Sequence, residues 1–190
     1  MKLHLPRLLL GLTCLLIAIW LVAPTLVVVP MSFAGKKSLA FPPSGFSLQW
    51  YENFFTNPQW FGSLVVSAKV ALMVAVAATV IGTMAAIGIE RMQSRAGGLI
   101  RAVLTTPMIV PGVVLAVGIY AVYLDTQLVG TWTGYVLAHT LLAIPFVVIA
   151  VGANLAVFDA RLEVAAASLG ASRLATFFTI TLPLILPGIL

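Results

Sequence analysis

Long apolar runs separated by short polar, glycine- and proline-bearing stretches organise this chain. Leu8 to Met31 carries no charge, Gly62 to Ile89 carries only Lys69, and Ala102 to Leu124 and Gly134 to Phe158 carry none. Each is long enough for a helix that crosses a bilayer, which needs about 20 apolar residues at a rise of about 1.5 Å each. A fifth uncharged run extends from Leu174 to Leu190, and its spanning part begins near Leu182. The pattern predicts an all-α, polytopic helical bundle in which residues 1–190 form one transmembrane domain. Its expected spans are 8–31, 62–89, 102–124 and 134–158, with a partial fifth, truncated, from 182.

The first run has a basic start, Met1-Lys2 through Arg7, and small residues follow it at Ser32-Phe33-Ala34, as in a cleaved signal peptide. Its apolar length is about twice the usual 7–15 residues of a signal core, which favours a retained helix. Between the first two spans, Pro42-Pro43, Ser44-Gly45 and Asn57-Pro58 predict turns, with a short helix near Leu48–Phe55. No internal repeat or low-complexity segment is expected.

Within the second run, Ser67, Ala71 and Ala75, then Ala78, Gly82 and Ala86, recur every fourth position. This spacing stacks small residues on one helical face, where a neighbouring helix can approach closely. Pro24, Pro107, Pro111, Pro145, Pro183 and Pro187 fall inside apolar runs. Each removes a backbone donor and favours a kink.

Composition reinforces the membrane assignment: 62% of residues are hydrophobic, 8% are charged, and the mean hydropathy is +1.14. Soluble domains carry roughly 25% charged residues. The net charge of +5 does not form a nucleic-acid patch, because the basic residues sit at the ends of the apolar runs. Lys2, Arg7, Arg91, Arg95, Arg101, Arg161 and Arg173 fall on one side of the predicted topology, and Lys36 and Lys37 on the other. That bias predicts a cytoplasmic N-terminus. The single cysteine, Cys14, lies in an apolar run and excludes an intrachain disulfide.

Polar groups inside the runs are few. Lys69 is long enough to snorkel to the interface or to line a pathway. Tyr120, Tyr123, His139 and Asn154 are the other pathway candidates, with Thr140 beside the histidine. No carboxylate lies in a span, which argues against a proton relay. The chain has no phosphate-cradling Gly-x-x-x-x-Gly-Lys-Ser/Thr loop, His-Glu-x-x-His helix or catalytic triad set, so no enzyme activity, cofactor or metal is expected.

The most informative segment is residues 159–181. Asp159 is suited to capping a helix over Arg161–Leu169, Gly170 to ending it in a left-handed turn, and Ser172 to capping a second helix towards Pro183. These residues predict a helix–turn–helix elbow suited to docking in a partner's groove. They resemble the signature loop of permeases in binding-protein-dependent ABC importers: Glu-Ala-Ala, three residues, Gly, nine residues, then Ile-x-Leu-Pro. Ala165, Ala166, Gly170, Ile180, Leu182 and Pro183 fall at that spacing, whereas Val164 stands where the family has glutamate and Glu163 lies one residue earlier. Phe46–Tyr51, Thr106–Gly112 and Ala138–Phe146 are similar to the spermidine/putrescine-type branch.

The resemblance implies a type I importer transmembrane domain in a bacterial inner membrane and a helix in the loop that receives motion from an ATPase. It further implies three kinds of partner: ATP-binding subunits, a second permease subunit, and a periplasmic or extracellular substrate-binding protein. Alternating-access import of polyamines or related amines is the expected function. A truncated, non-transporting membrane scaffold or inactive permease paralogue is the alternative.

Overall fold

The computed structural model describes residues 5–38, 40–92 and 94–189; Lys2 and Leu190, used in the topology and span expectations above, lie outside them. Helices dominate in the order α1 (Leu5–Met31), α2 (Gln49–Thr56), α3 (Pro58–Arg91), α4 (Arg95–Thr105), α5 (Gly112–Asp125), α6 (Trp132–Ala156), α7 (Arg161–Ser168), α8 (Arg173–Thr176) and α9 (Leu182–Ile185). A 3-10 turn follows α4 at Thr106–Met108, a π-helical segment (Phe177–Thr181) joins α8 to α9, and a second 3-10 turn follows at Leu186–Gly188. The chain divides into two compact units, Met1–Val65 and Val66–Leu190.

In the first unit, α1 carries no charge after Arg7 and none of its described residues is buried. Such a surface would be untenable in water and is natural against lipid. The segment after α1 folds back through an isolated bridge between Ala34 and Phe46. Polar side chains of α2 fasten that turn: Trp50 Nε1 donates to the Ala34 carbonyl at 2.6 Å, and Gln49 Nε2 to that of Gly35 at 2.7 Å. The hydroxyls of Ser32 and Tyr51 lie 2.6 Å apart.

The second unit packs α3, α6 and the segment from α9 onward around Ala86, Val151, Leu155 and Ile185, with Val151 and Ile185 wholly buried. Ala78, Gly82 and Ala86 form the buried half of the small-residue stripe, whereas Ser67, Ala71 and Ala75 are exposed. The approach is close at Gly82, where a Cβ would stand 2.7 Å from Cβ of Val147. In a lipid environment such contact contributes through dispersion, since lipid tails are as apolar as the side chains they replace.

Among the described residues, three helices are long and apolar enough to cross a membrane, or four if a bent pair counts as one span. That pair contains the run Ala102–Leu124, expected as one span with kinks favoured at Pro107 and Pro111. It is split into the Arg95–Met108 stretch and α5, bent by 99°. Pro107 and Pro111 each lack an N–H and disfavour helical geometry in the preceding residue, and Pro111 is extended with ψ 130°. Pro24 and Pro145, by contrast, stay inside α1 and α6.

No internal repeat was expected, yet Thr-x-Pro-x-Ile-x-Pro-Gly occurs twice, at 105–112 and 181–188. Both copies carry a 3-10 turn that packs on α6, four residues later in the second copy than in the first.

Candidate functional site

The elbow is built by local rules. The Asp159 carboxylate accepts from the Arg161 amide at 2.9 Å, although Ala160 is the residue flanking α7. At the other end Gly170 takes φ +85°, the left-handed conformation that favours glycine. The Gly170 amide donates to the Ala167 carbonyl and the Ala171 amide to that of Ala166, both at 3.0 Å. This pair of bonds is a Schellman motif, which satisfies carbonyls that the helix end would orphan. Ser172 Oγ then accepts from the Ala175 amide at 3.2 Å and starts α8.

Side chains divide by face. Ala166 is buried and Glu163, three residues earlier on the same face, is half-buried. Val164 and Leu169 project outward at 66% and 89% exposure, and Ala165 and Gly170 are also exposed. Ile180 and Leu182 are half-buried where the elbow re-enters the core, and Pro183 is exposed.

Glu163 Oε1 accepts from Nη2 of Arg91 at 2.8 Å and from Oγ1 of Thr181 at 2.6 Å. Arg91 ends α3 and Thr181 ends the π-helical segment, so one carboxylate oxygen joins three elements. The adjacent Glu90 accepts from Arg101 of α4 at 3.0 Å. With Ile87, Leu155, Ala156, Phe158 and Ala160, the residues Glu90, Arg91, Glu163 and Thr181 line a cleft of about 270 Å³. Arg91, Thr181 and Glu90 did not stand out in the sequence. The only available signal was that Arg91 and Arg101 are basic residues at the ends of apolar runs.

The pathway candidates do not form one group. Tyr120, Tyr123 and His139 line a cavity of about 370 Å³ between α5 and α6, together with Tyr135 and mostly apolar neighbours. Tyr123 Oη donates to the Gly134 carbonyl at 3.0 Å. His139 Nδ1 lies 2.8 Å from the Tyr135 carbonyl. A carbonyl only accepts, so Nδ1 carries the proton in that bond. Lys69 is exposed on α3 and does not line this cavity. Asn154 lies elsewhere on α6, donating to the Ala150 carbonyl at 3.0 Å and abutting Gly188. Thr140 is buried, and its hydroxyl has no partner among the described residues. The described residues contain no group of three or more His, Cys, Asp or Glu able to hold a metal.

Long apolar helices with an elbow before the last apolar segment define a polytopic α-helical membrane protein. Residues 78–190 match the family described as the binding-protein-dependent transport system inner membrane component, and the chain belongs to that family. It is 32% identical over 171 residues to the spermidine/putrescine transport system permease protein PotC of Haemophilus influenzae, covering 90% of this chain and 66% of the relative. It is 29% identical over 182 residues to the putrescine transport system permease protein PotI of Escherichia coli K12, covering 90% of this chain and 63% of that relative. The molybdenum transport system permease protein ModB of the same strain is 32% identical over 148 residues, 71% of this chain and 64% of the relative. The chain thus spans just under two thirds of the length of these curated relatives.

Proposed function

We propose that this chain is the permease subunit of an ATP-driven importer for polyamines or related small amines, working by alternating access. In this reading the amino terminus and the elbow face the cytoplasm, ATP-binding subunits grip residues 159–181, and a second permease subunit completes the path. A substrate-binding protein delivers the amine from outside. Within the coupling loop, Ala165, Gly170 and Pro183 lie on the exposed side, and Ala166, Ile180 and Leu182 seat the elbow on the core.

The observation that carries this reading is the elbow's outer surface. A helix held rigid by a Schellman turn exposes Val164 and Leu169, which favours apolar docking in a partner's groove. The chain has no phosphate-cradling loop, so ATP hydrolysis falls to a partner. The amine substrate is supported by the names of two relatives and by chemistry. The cavity lined by Tyr120, Tyr123 and His139 brings together aromatic side chains of the kind that hold an ammonium group.

The direct test is Leu169→Asp in cells that co-express the cognate ATP-binding subunit, the second permease and the binding protein. Leu169 is almost fully exposed, so the change costs the fold little. Co-purification of the ATP-binding subunit and uptake of radiolabelled putrescine are both expected to fall to background. Normal values of both would refute the docking surface. A reporter fused beside Ser172 tests orientation, and its appearance on the outer face would overturn the reading as a whole.

A further inference from the structure

Resting on that reading of the elbow, we propose that Glu163 is an internal latch and not the carboxylate that meets the ATP-binding partner. It ties α7 to the end of α3 and to the π-helical segment, so that a displacement of the elbow is delivered into both elements.

Three observations converge on this role. The first is angular. Successive helical residues are about 100° apart, so moving a carboxylate from position 164 to 163 carries it to a different face. Val164 points outward at 66% exposure, whereas the Glu163 side chain is 27% exposed and held by two donors. The family position is therefore apolar and partner-facing here, and the charge has turned inward.

The second is the burial of Thr181, 1% exposed, with its hydroxyl 2.6 Å from Glu163 Oε1. A hydrogen bond to an ionised acceptor is about twice as strong as a neutral one, and a buried donor left without it bears the full desolvation cost. The Arg91 contact is the more exposed of the two, with Arg91 at 60%, and it supplies direction more than strength.

The third comes from the internal repeat. Thr105 occupies the position in the first copy that Thr181 occupies in the second. Thr105 Oγ1 donates to carbonyls of its own helix, Arg101 at 3.0 Å and Ala102 at 3.2 Å. That local bond is the ordinary choice for a helical threonine. Thr181 ends a π-helical segment and gives its proton to Glu163 instead. The bond to the elbow is thus particular to the second copy. π-helical turns are rare and occur frequently at functional sites, which suits this segment to absorbing movement.

The test uses the full chain in lipid nanodiscs, with Cys14→Ser and spin labels at the exposed positions 84 and 167, on α3 and α7. The wild-type side chains should give one narrow distance distribution. Glu163→Gln and the near-isosteric Thr181→Val should each raise the population of a second, longer distance by about tenfold or more, the scale of losing a charge-assisted bond. Glu52→Gln, on α2, should leave the distribution unchanged.

In the assembled transporter, Thr181→Val is expected to lower putrescine uptake several-fold while ATP hydrolysis continues. If both single variants superimpose on the wild-type distribution, the latch is wrong. If the distances respond but the wild-type chain neither binds an ATP-binding subunit nor supports uptake, the latch stands and the transport reading fails. Should Glu163→Gln fail to reach the membrane, Thr181→Val decides the question alone.

Discussion

Gly170 offers a perturbation whose size follows from geometry alone. Its φ of +85° is one that an L side chain adopts only with strain, yet a Cβ built there meets nothing within 4 Å. Steric crowding by neighbours therefore contributes nothing, and the whole cost is backbone strain, about 1–2 kcal/mol for an ordinary residue. Asparagine tolerates the left-handed region better, and a β-branched residue tolerates it worst. The expected order of destabilisation is Gly170→Asn, then Gly170→Ala, then Gly170→Val. For alanine the turn's open population should rise roughly 5- to 30-fold. Opening breaks the bonds from Gly170 to Ala167 and from Ala171 to Ala166. Amide hydrogen exchange over 165–173 in nanodiscs therefore reads the effect directly, with peptides from α6 as the internal control. Exchange of the valine variant at the wild-type rate, or an asparagine variant faster than valine, would refute the claim that a left-handed Schellman turn fixes the elbow.

Two further outcomes rest on contacts of other kinds. Gly82→Leu should lower the midpoint of unfolding by the equivalent of about 1–3 kcal/mol, since its Cβ already stands 2.7 Å from that of Val147; Gly88→Ala, with open space around it, should not, and a thermal unfolding series on both variants checks the pair. Trp50→Phe keeps an aromatic ring, though a smaller one, and removes the 2.6 Å bond to the Ala34 carbonyl, about 1 kcal/mol. Trypsin cleavage at Lys36 and Lys37 should then quicken several-fold, and an unchanged cleavage rate would show that the bond does not hold the turn.

What the sequence disclosed and what it hid divide by the range of the physics involved. The elbow was legible because Asp159, Gly170 and Ser172 each act on backbone groups within three residues. The apolar runs were legible because bilayer thickness sets helix length. Proline was legible only as a risk. Pro107 and Pro111, four apart with Gly112 following, break the third run, whereas Pro145 sits buried and unbroken inside α6, where packing against neighbours holds it. The Glu163 bonds were hidden for a third reason, because their partners lie 72 and 18 residues away. Matching by spacing treats Val164 as a lost carboxylate. On a helix, however, a shift of one position is a rotation of about 100°, and the neighbouring glutamate is a charge turned to a different face. The same logic separates Lys69 from Tyr120, Tyr123 and His139. All four are polar interruptions of apolar runs, but only the last three share a cavity, because the 99° bend sets the orientation of α5. Departures from a helical motif therefore carry information when read as angles, and here the angle turns Val164 outward and Glu163 inward onto Arg91 and Thr181.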